Sequence, residues 1–148
     1  VGKAVQAYNA HTMLRVSTKL GLSKVDGIGL FADQFIPKGT VTWQYDPEFD
    51  MKVTEETLKT LPQWTKDQFM KYSYFDYAQN CYILCVDDQR FINHSIDPNI
   101  LSTPDCDKAG RDIKIGEELF CNYNHYERDW FERRGIKEGD FTFIVKGN

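Results

Sequence analysis

Apolar and polar positions alternate in short runs along most of this chain, and only one segment switches to helical spacing. From Met13, MLRVSTKLG alternates loosely and predicts an edge strand. Gly27 and Gly29 then predict a turn, IGLFA an apolar strand, and Pro37-Lys38-Gly39 a second turn. VTWQYD (residues 41–46) is rich in β-branched and aromatic residues and predicts another strand.

The pattern changes after residue 53. Thr54 is a predicted helix N-cap, Glu55 and Glu56 suit the positive end of the helix, and Leu58 and Leu61 recur at helical spacing. Pro62 predicts the start of a second helix with Leu61, Trp64, Phe69 and Tyr72 on its apolar face. Beyond it, CYILCV predicts a short buried strand closed by a DDQ turn, and RFINHS is too short to be a regular element. RDIKIGEELFCNY predicts two strands around a Gly116 turn, HYERDWFERR a short C-terminal helix, and FTFIV a last strand or apolar tail. Many short strands with one helical insert make a β-rich α+β domain.

The length of 148 residues bounds this to one domain able to bury a core. Residues 1–12 precede the first patterned segment, and the chain opens on Val1, so they are expected to be a leader or flexible arm. A net charge of -4 argues against direct nucleic-acid binding, which needs a basic stripe. A mildly acidic surface instead favours encounter with basic segments such as lysine-rich tails. ERDWFERRG is mixed in sign and reads as a solvated helix face. No run of 18 apolar residues exists, so no membrane span is expected.

Cys81, Cys85, Cys106 and Cys121 form no CxxC pair. On one strand, Cys81 and Cys85 would lie about 13 Å apart, too far to chelate one ion or to bridge. They read as free thiols of an intracellular protein, cytoplasmic or nuclear, with no metal site. A metal-binding role for scattered cysteine and histidine is correspondingly weak.

Three segments carry candidate chemistry. Gly27-Ile28-Gly29 does not open a helix, so it is no dinucleotide fingerprint; alone it reads as a turn needing positive φ or close backbone approach. Asn93-His94 sits in a tight turn that can present amide and carbonyl groups to a heteroaromatic ring, although alone it reads as structural more often than not. Tyr123 ends a strand with Cys121 two residues before it, so both can line one cavity. His125 and Tyr126 follow, yet no serine or cysteine nucleophile pairs with them.

In this order, GIGLFADQFIPKGT, RFINHSIDPN and RDIKIGEELFCNY closely resemble the SET-domain protein lysine methyltransferases, from about Met13 to the C-terminal aromatic segment. The resemblance implies a SET fold: β-clip-like small sheets with a pseudoknot, a short helical insert at about 54–72 and a short C-terminal helix, with residues 13–148 as one domain. It implies S-adenosyl-L-methionine as cofactor. The backbone around Asp26, Gly27, Ile28 and Gly29 would face the methionine part. Asn93 and His94 would hold the amino group and the adenine, and Trp130 or Phe131 would stack on the adenine. Tyr123 takes the catalytic tyrosine position and Tyr45 a channel position. Cys121 stands where many members carry the aromatic residue that limits product methylation, which implies capacity beyond monomethylation.

The family's structural zinc is not expected, because Ile96 stands at one ligand position and no cysteine follows Cys121. The segment at about 124–148 would close the channel by apolar packing, and the stretch before RDI is short. The partner implied is a protein with an exposed lysine, a histone tail or a non-histone protein, with oligomeric state left open. Methyl transfer to lysine needs a neutral amine, so a pKa of about 10.4 must fall by about three units, about 4 kcal/mol, which an aromatic channel and a nearby sulfonium both favour. A silent SET-fold module that binds a peptide without turnover is the rival reading.

Overall fold

The computed structural model describes residues 13–142, with side chains as far as Asp140. The expected arm at 1–12 and most of the FTFIV segment lie outside the described residues. Positions 141 and 142 end a helix rather than open a strand.

Among the described residues, eleven short strands form four small sheets. The expected first strand splits in two: β1 (Met13–Leu14) and β2 (Thr18–Leu22) join different sheets. β2 pairs antiparallel with β3 (Ile28–Ala32), and the hairpin places Gly21 opposite Gly29. Its turn is held by Ser23, whose N–H donates to the Gly27 carbonyl and whose Oγ accepts from the Val25 N–H. Gly27 there has a φ of 49°, which an L side chain rarely adopts. Leu30 and Ala32 alternate inward along β3 and are fully buried.

β4 (Val41–Gln44) is central to a four-stranded sheet, followed by β5 (Met51–Val53), which the sequence did not announce. Helices α1 (Glu55–Lys59) and α2 (Gln63–Tyr72) match the expected insert, and the Thr54 side chain caps α1 by accepting from the Thr57 N–H. The apolar face assigned to α2 needs correction. Trp64 is 73% exposed, whereas Leu61 and Phe69 lean as expected on the Leu58, Phe75 and Tyr82 cluster, joined by Met70. The reason is the immediate reversal into β6 (Ser73–Asp76), which pairs with β7 (Cys81–Leu84) and fixes the face α2 turns inward.

After β7 the DDQ turn is a 3-10 turn (Asp88–Phe91), and Asn93–His94 forms a two-residue strand, β8. β9 (Ile100–Ser102) and β10 (Cys106–Ala109) complete the sheet in the order β1-β4-β10-β9. β11 (Phe120–Cys121) runs parallel to β8, pairing Cys121 with His94. This long-range pairing joins the two most distinctive sequence segments. The RDIKI stretch contributes only the Ile36–Ile113 bridge. α3 (Trp130–Arg134) and α4 (Glu138–Thr142) follow, and Gly135 ends α3 with a φ of 64°.

The main core gathers Leu30, Ile36, Ile100, Ile113 and Leu119 with the aromatic rings of Tyr123, Trp130 and Phe131. The ERDWFERR segment is not a solvated face. Glu127 is fully buried, accepts from Arg134 at 2.9 Å and from the Phe75 N–H at 2.9 Å. Arg134 also donates to the Ser73, Met70 and Trp130 carbonyls, tying α3 to the end of α2.

Candidate active site

β8 and β11 end side by side, so Asn93, His94, Cys121 and Tyr123 converge although about thirty residues separate them in sequence. Tyr123 opens a 3-10 turn (Tyr123–His125) capped by the Asn122 side chain, and is not a strand residue. Its ring is buried, its hydroxyl donates to the Ile92 carbonyl at 2.7 Å, and its N–H donates to His94 Nδ1 at 3.1 Å. Desolvation drives the phenol pKa well above its ordinary value, so Tyr123 stays protonated, its one O–H proton given to Ile92 and its oxygen lone pairs left as acceptors.

Two cavities meet at this tyrosine. One of about 50 Å³ is lined by Trp43, Tyr72, Tyr74, Cys121, Tyr123, Tyr126 and Trp130, with Gln89 and Asp107 among its polar groups. The second, about 20 Å³, is lined by Asp26, Ile28, Asn93, Tyr123 and Trp130, which are residues expected at a cofactor. A wider groove of about 620 Å³ shares Asp26, Lys71 and Trp130 with that second cavity and runs along α2 and α3.

Asn93 is held on three sides. Its Nδ2 donates to the Asp26 and Ile28 carbonyls, each at 3.2 Å, and to Glu118 Oε1 at 3.1 Å. Three acceptors around one atom fix the amide orientation and turn Oδ1 the other way. Gly29 explains Glu118: a Cβ at Gly29 would lie 2.1 Å from Glu118 Oε1. Thus Gly27 answers to positive φ and Gly29 to close approach, and the close neighbour is a glutamate the sequence reading did not single out.

The His94 ring is fully buried, and both nitrogens are engaged: Nδ1 with the Tyr123 N–H, Nε2 with Glu138 at 3.2 Å. Any contact of His94 to an adenine therefore falls to its backbone. Burial lowers the His94 pKa, with Glu138 opposing, and the bond from Tyr123 requires Nδ1 to be unprotonated. Of the two aromatic residues expected near an adenine, Trp130 borders all three cavities. Phe131 lines none of the three and packs edge-on against His94, its ring centroid 4.8 Å away.

Cys121 is buried at the cavity wall with Sγ 3.9 Å from the Tyr126 hydroxyl. Tyr45 lies elsewhere. It follows the end of β4, and its hydroxyl lies 3.5 Å from the Gln79 side chain, outside the residues lining the Tyr123 cavity. Tyr74 and Tyr126 supply the phenols there, packed edge to face at 5.4 Å between centroids. Tyr74 was not singled out in the sequence because it lies between the helical insert and CYILCV, where β6 turns it inward. Among the described residues, no group of three or more His, Cys, Asp or Glu side chains is placed to hold a metal ion. No helix among them is long and apolar enough to cross a membrane.

The family model for the SET domain matches residues 27–124, and the chain belongs to the SET-domain family. No curated protein matches it. Among solved structures, an apo form of the polycomb repressive complex 2 superposes with a TM-score of 0.61 at 25% identity, covering 80% of this chain and 16% of that one. The Chaetomium thermophilum complex gives 0.54 at 25% identity over 73% and 15%. A Plasmodium falciparum protein described as a candidate histone methyltransferase gives 0.55 at 20% identity over 76% of this chain and 96% of that one, a likeness of fold alone. This chain spans only about 14–16% of the polycomb chains it resembles, one of them determined in complex with H3K27me3.

Proposed function

We propose that this chain is an S-adenosylmethionine-dependent protein-lysine N-methyltransferase. The observation that carries the reading is the position of Tyr123. Its ring forms part of the wall of the aromatic cavity and of the small cavity bounded by Asp26, Ile28, Asn93 and Trp130. A narrow aromatic chamber suits a lysine side chain, and a wider groove on the other side suits a nucleoside-bearing cofactor.

The residues fit that cofactor. The groove of about 620 Å³ falls within the usual range for small-molecule sites. A Cβ at Gly27 would meet only the Lys71 ammonium, at 3.9 Å, so the backbone there is approachable. Asn93 Oδ1, opposite the three acceptors of Nδ2, is a natural acceptor for an amino group. When bound, the cofactor supplies an electrophilic methyl group on a positively charged sulfur.

The protein's own share is orientation and desolvation. Tyr123, locked by Ile92 and His94, offers one fixed hydroxyl where the two cavities meet. Tyr74, Tyr126, Trp43 and Trp130 wall the chamber with aromatic surface in place of bulk solvent, which favours the neutral amine over the ammonium. Cys121 leaves more room beside Tyr123 than an aromatic ring would, consistent with acceptance of more than one methyl group. The α1–α2 insert would form a wall of the substrate groove. A protein lysine, with a histone tail as first choice, is the substrate class, supported by the histone complex of one structural neighbour.

The test is mass spectrometry of core histones and a lysate protein mixture incubated with the chain and isotope-labelled S-adenosylmethionine. Label on lysine that disappears with Tyr123→Phe is the expected result. No label together with no cofactor binding in calorimetry would favour a peptide-binding module instead.

A further inference from the structure

The aromatic cavity ends on a carboxylate. β10 alternates inward and outward, and its inward positions are Asp107 and Ala109, 3% and 2% exposed. A strand position of this kind ordinarily carries an apolar side chain, and a buried carboxylate is costly unless a cation or several donors satisfy it. Asp107 accepts from Gln89 Nε2, itself buried, and no cation pairs with it among the described residues. The cations that line the same cavity are engaged elsewhere: Lys71 with Asp26 at 3.3 Å, and Arg90 with the Val86 carbonyl at 2.9 Å.

Buried polar side chains neighbour this carboxylate. Trp43, the register partner of Asp107 on β4, has an unbonded, buried Nε1, and Ser102, its partner on β9, an unbonded Oγ. Ser102 faces the Asp107 carboxylate across the β9–β10 pairing and lowers its pKa. Ser73 Oγ, on a third residue near the cavity, is likewise unbonded. Buried donors and acceptors of this kind call for water or a polar ligand, and about 50 Å³ holds about three water molecules by the usual volume per buried water. The chamber is thus apolar along its aromatic walls and polar, with one negative charge, where Asp107 stands.

We propose that Asp107 is the proton acceptor of this site: its carboxylate, directly or through water in the chamber, takes the proton of a lysine ammonium that enters beside Tyr123. The inference rests on the methyltransferase reading and names a step that reading leaves to solvent. In that step an N–H bond of the ammonium breaks and its electron pair stays on nitrogen. The proton joins a carboxylate oxygen, giving a neutral amine and a carboxylic acid. The amine pair then forms the N–C bond as the methyl leaves sulfur, whose cationic charge is neutralised by the departing C–S pair. The methylated nitrogen is now cationic, and the acid returns its proton to solvent.

The surroundings favour this direction. Burial raises the Asp107 pKa to about 7, and the same desolvation lowers that of an entering ammonium, so the two converge and the neutral pair is preferred over the ion pair. The titratable groups that feel the Asp107 charge are Cys85 after β7, Cys106 beside it on β10, Cys121 on β11 and Tyr126 beyond Tyr123. Burial raises the pKa of each, so all stay protonated and none competes for the proton.

The experiment compares wild type with Asp107→Asn, using core histones and labelled cofactor, from pH 6 to 10. If Asp107 accepts the proton, kcat/KM of the wild type falls below about pH 7 and is level above it. Asp107→Asn should lose about 100-fold at pH 7 and recover along a slope of one towards pH 10, with its melting temperature and cofactor affinity retained. Parallel pH profiles in the two proteins would overturn the proposal. A second readout does not need turnover. In protein labelled with 13C-aspartate, n-butylamine serves as the lysine side-chain probe, and the Asp107 carboxyl resonance should move to its protonated position as the amine binds. A resonance that stays put overturns the proposal even if histones are labelled. A resonance that moves while no protein is labelled supports it and places the failure in the choice of substrate or in the methyltransferase reading.

Discussion

His94 Nδ1 accepts the backbone N–H of Tyr123 at 3.1 Å, so the imidazole of one sequence motif fixes the start of the turn that carries the key tyrosine of the other. The bond survives only while Nδ1 is unprotonated. The His94 pKa is lowered in the fold, so the unfolded chain binds the proton more readily. Stability from this residue is therefore complete above the ordinary histidine pKa of about 6.5 and is lost as pH falls below it towards the depressed folded value. Melting curves from pH 8 to pH 5 should show this loss. His94→Leu should lower stability by about 1–3 kcal/mol at pH 8 and flatten the dependence in that window.

The buried pair of Glu127 and Arg134 gives a second prediction. Arg134→Met leaves Glu127 fully buried with only Arg133, 3.8 Å away, as its cation and removes donors to three carbonyls. Urea denaturation should show a cost of about 3–5 kcal/mol. The double variant with Glu127→Leu should be more stable than Arg134→Met alone, because the stranded charge is then gone. Equal stability of the two would mean that the lost carbonyl bonds, not the charge, set the cost.

Gly29→Ala drives a methyl group into the Glu118 carboxylate and to within 3.1 Å of the Ser23 Cβ. Glu118 must swing away, which removes one of the three bonds that orient Asn93. We expect a loss of about 1–2 kcal/mol and weaker cofactor binding in calorimetry. In a Glu118→Ser background the same alanine should cost much less, since the pair is directly coupled. Additive losses would contradict the contact.

Cys121→Tyr fills space at the cavity wall next to Tyr126, 3.9 Å from the sulfur it replaces. The chamber is only about 50 Å³, so a phenol there should stop transfer at fewer methyl groups. Intact-mass analysis of the product distribution checks it, and an unchanged distribution would remove Cys121 from the specificity argument.

Several parts of this arrangement were readable before any coordinates. The Thr54 cap, the α1–α2 insert, the IGLFA strand and the left-handed turn at Gly27 follow from local chemistry: a side-chain acceptor before an acidic turn, a period of two, a residue without Cβ. Trp64 misled because α2 shows more apolar residues than its packed face uses, and Tyr45 because a strand motif does not reveal where the strand stops. Glu127 and Arg134 looked like surface charges, since nothing in ERDWFERR signals that Phe75 and the end of α2 fold over them.

The order of the motifs and the β-rich class were decided by the sequence alone, and it singled out Asn93, Cys121 and Tyr123 as residues to look for together. The tertiary structure decided the rest: that β8 runs parallel to β11, that Glu118 occupies the space Gly29 leaves, that Tyr74 and Tyr126 rather than Tyr45 wall the chamber, and that Asp107 points into it. The reason is physical. Local sequence sets backbone preference and capping, whereas the burial of a polar side chain depends on which distant segment packs across it, and that is determined by the whole chain at once.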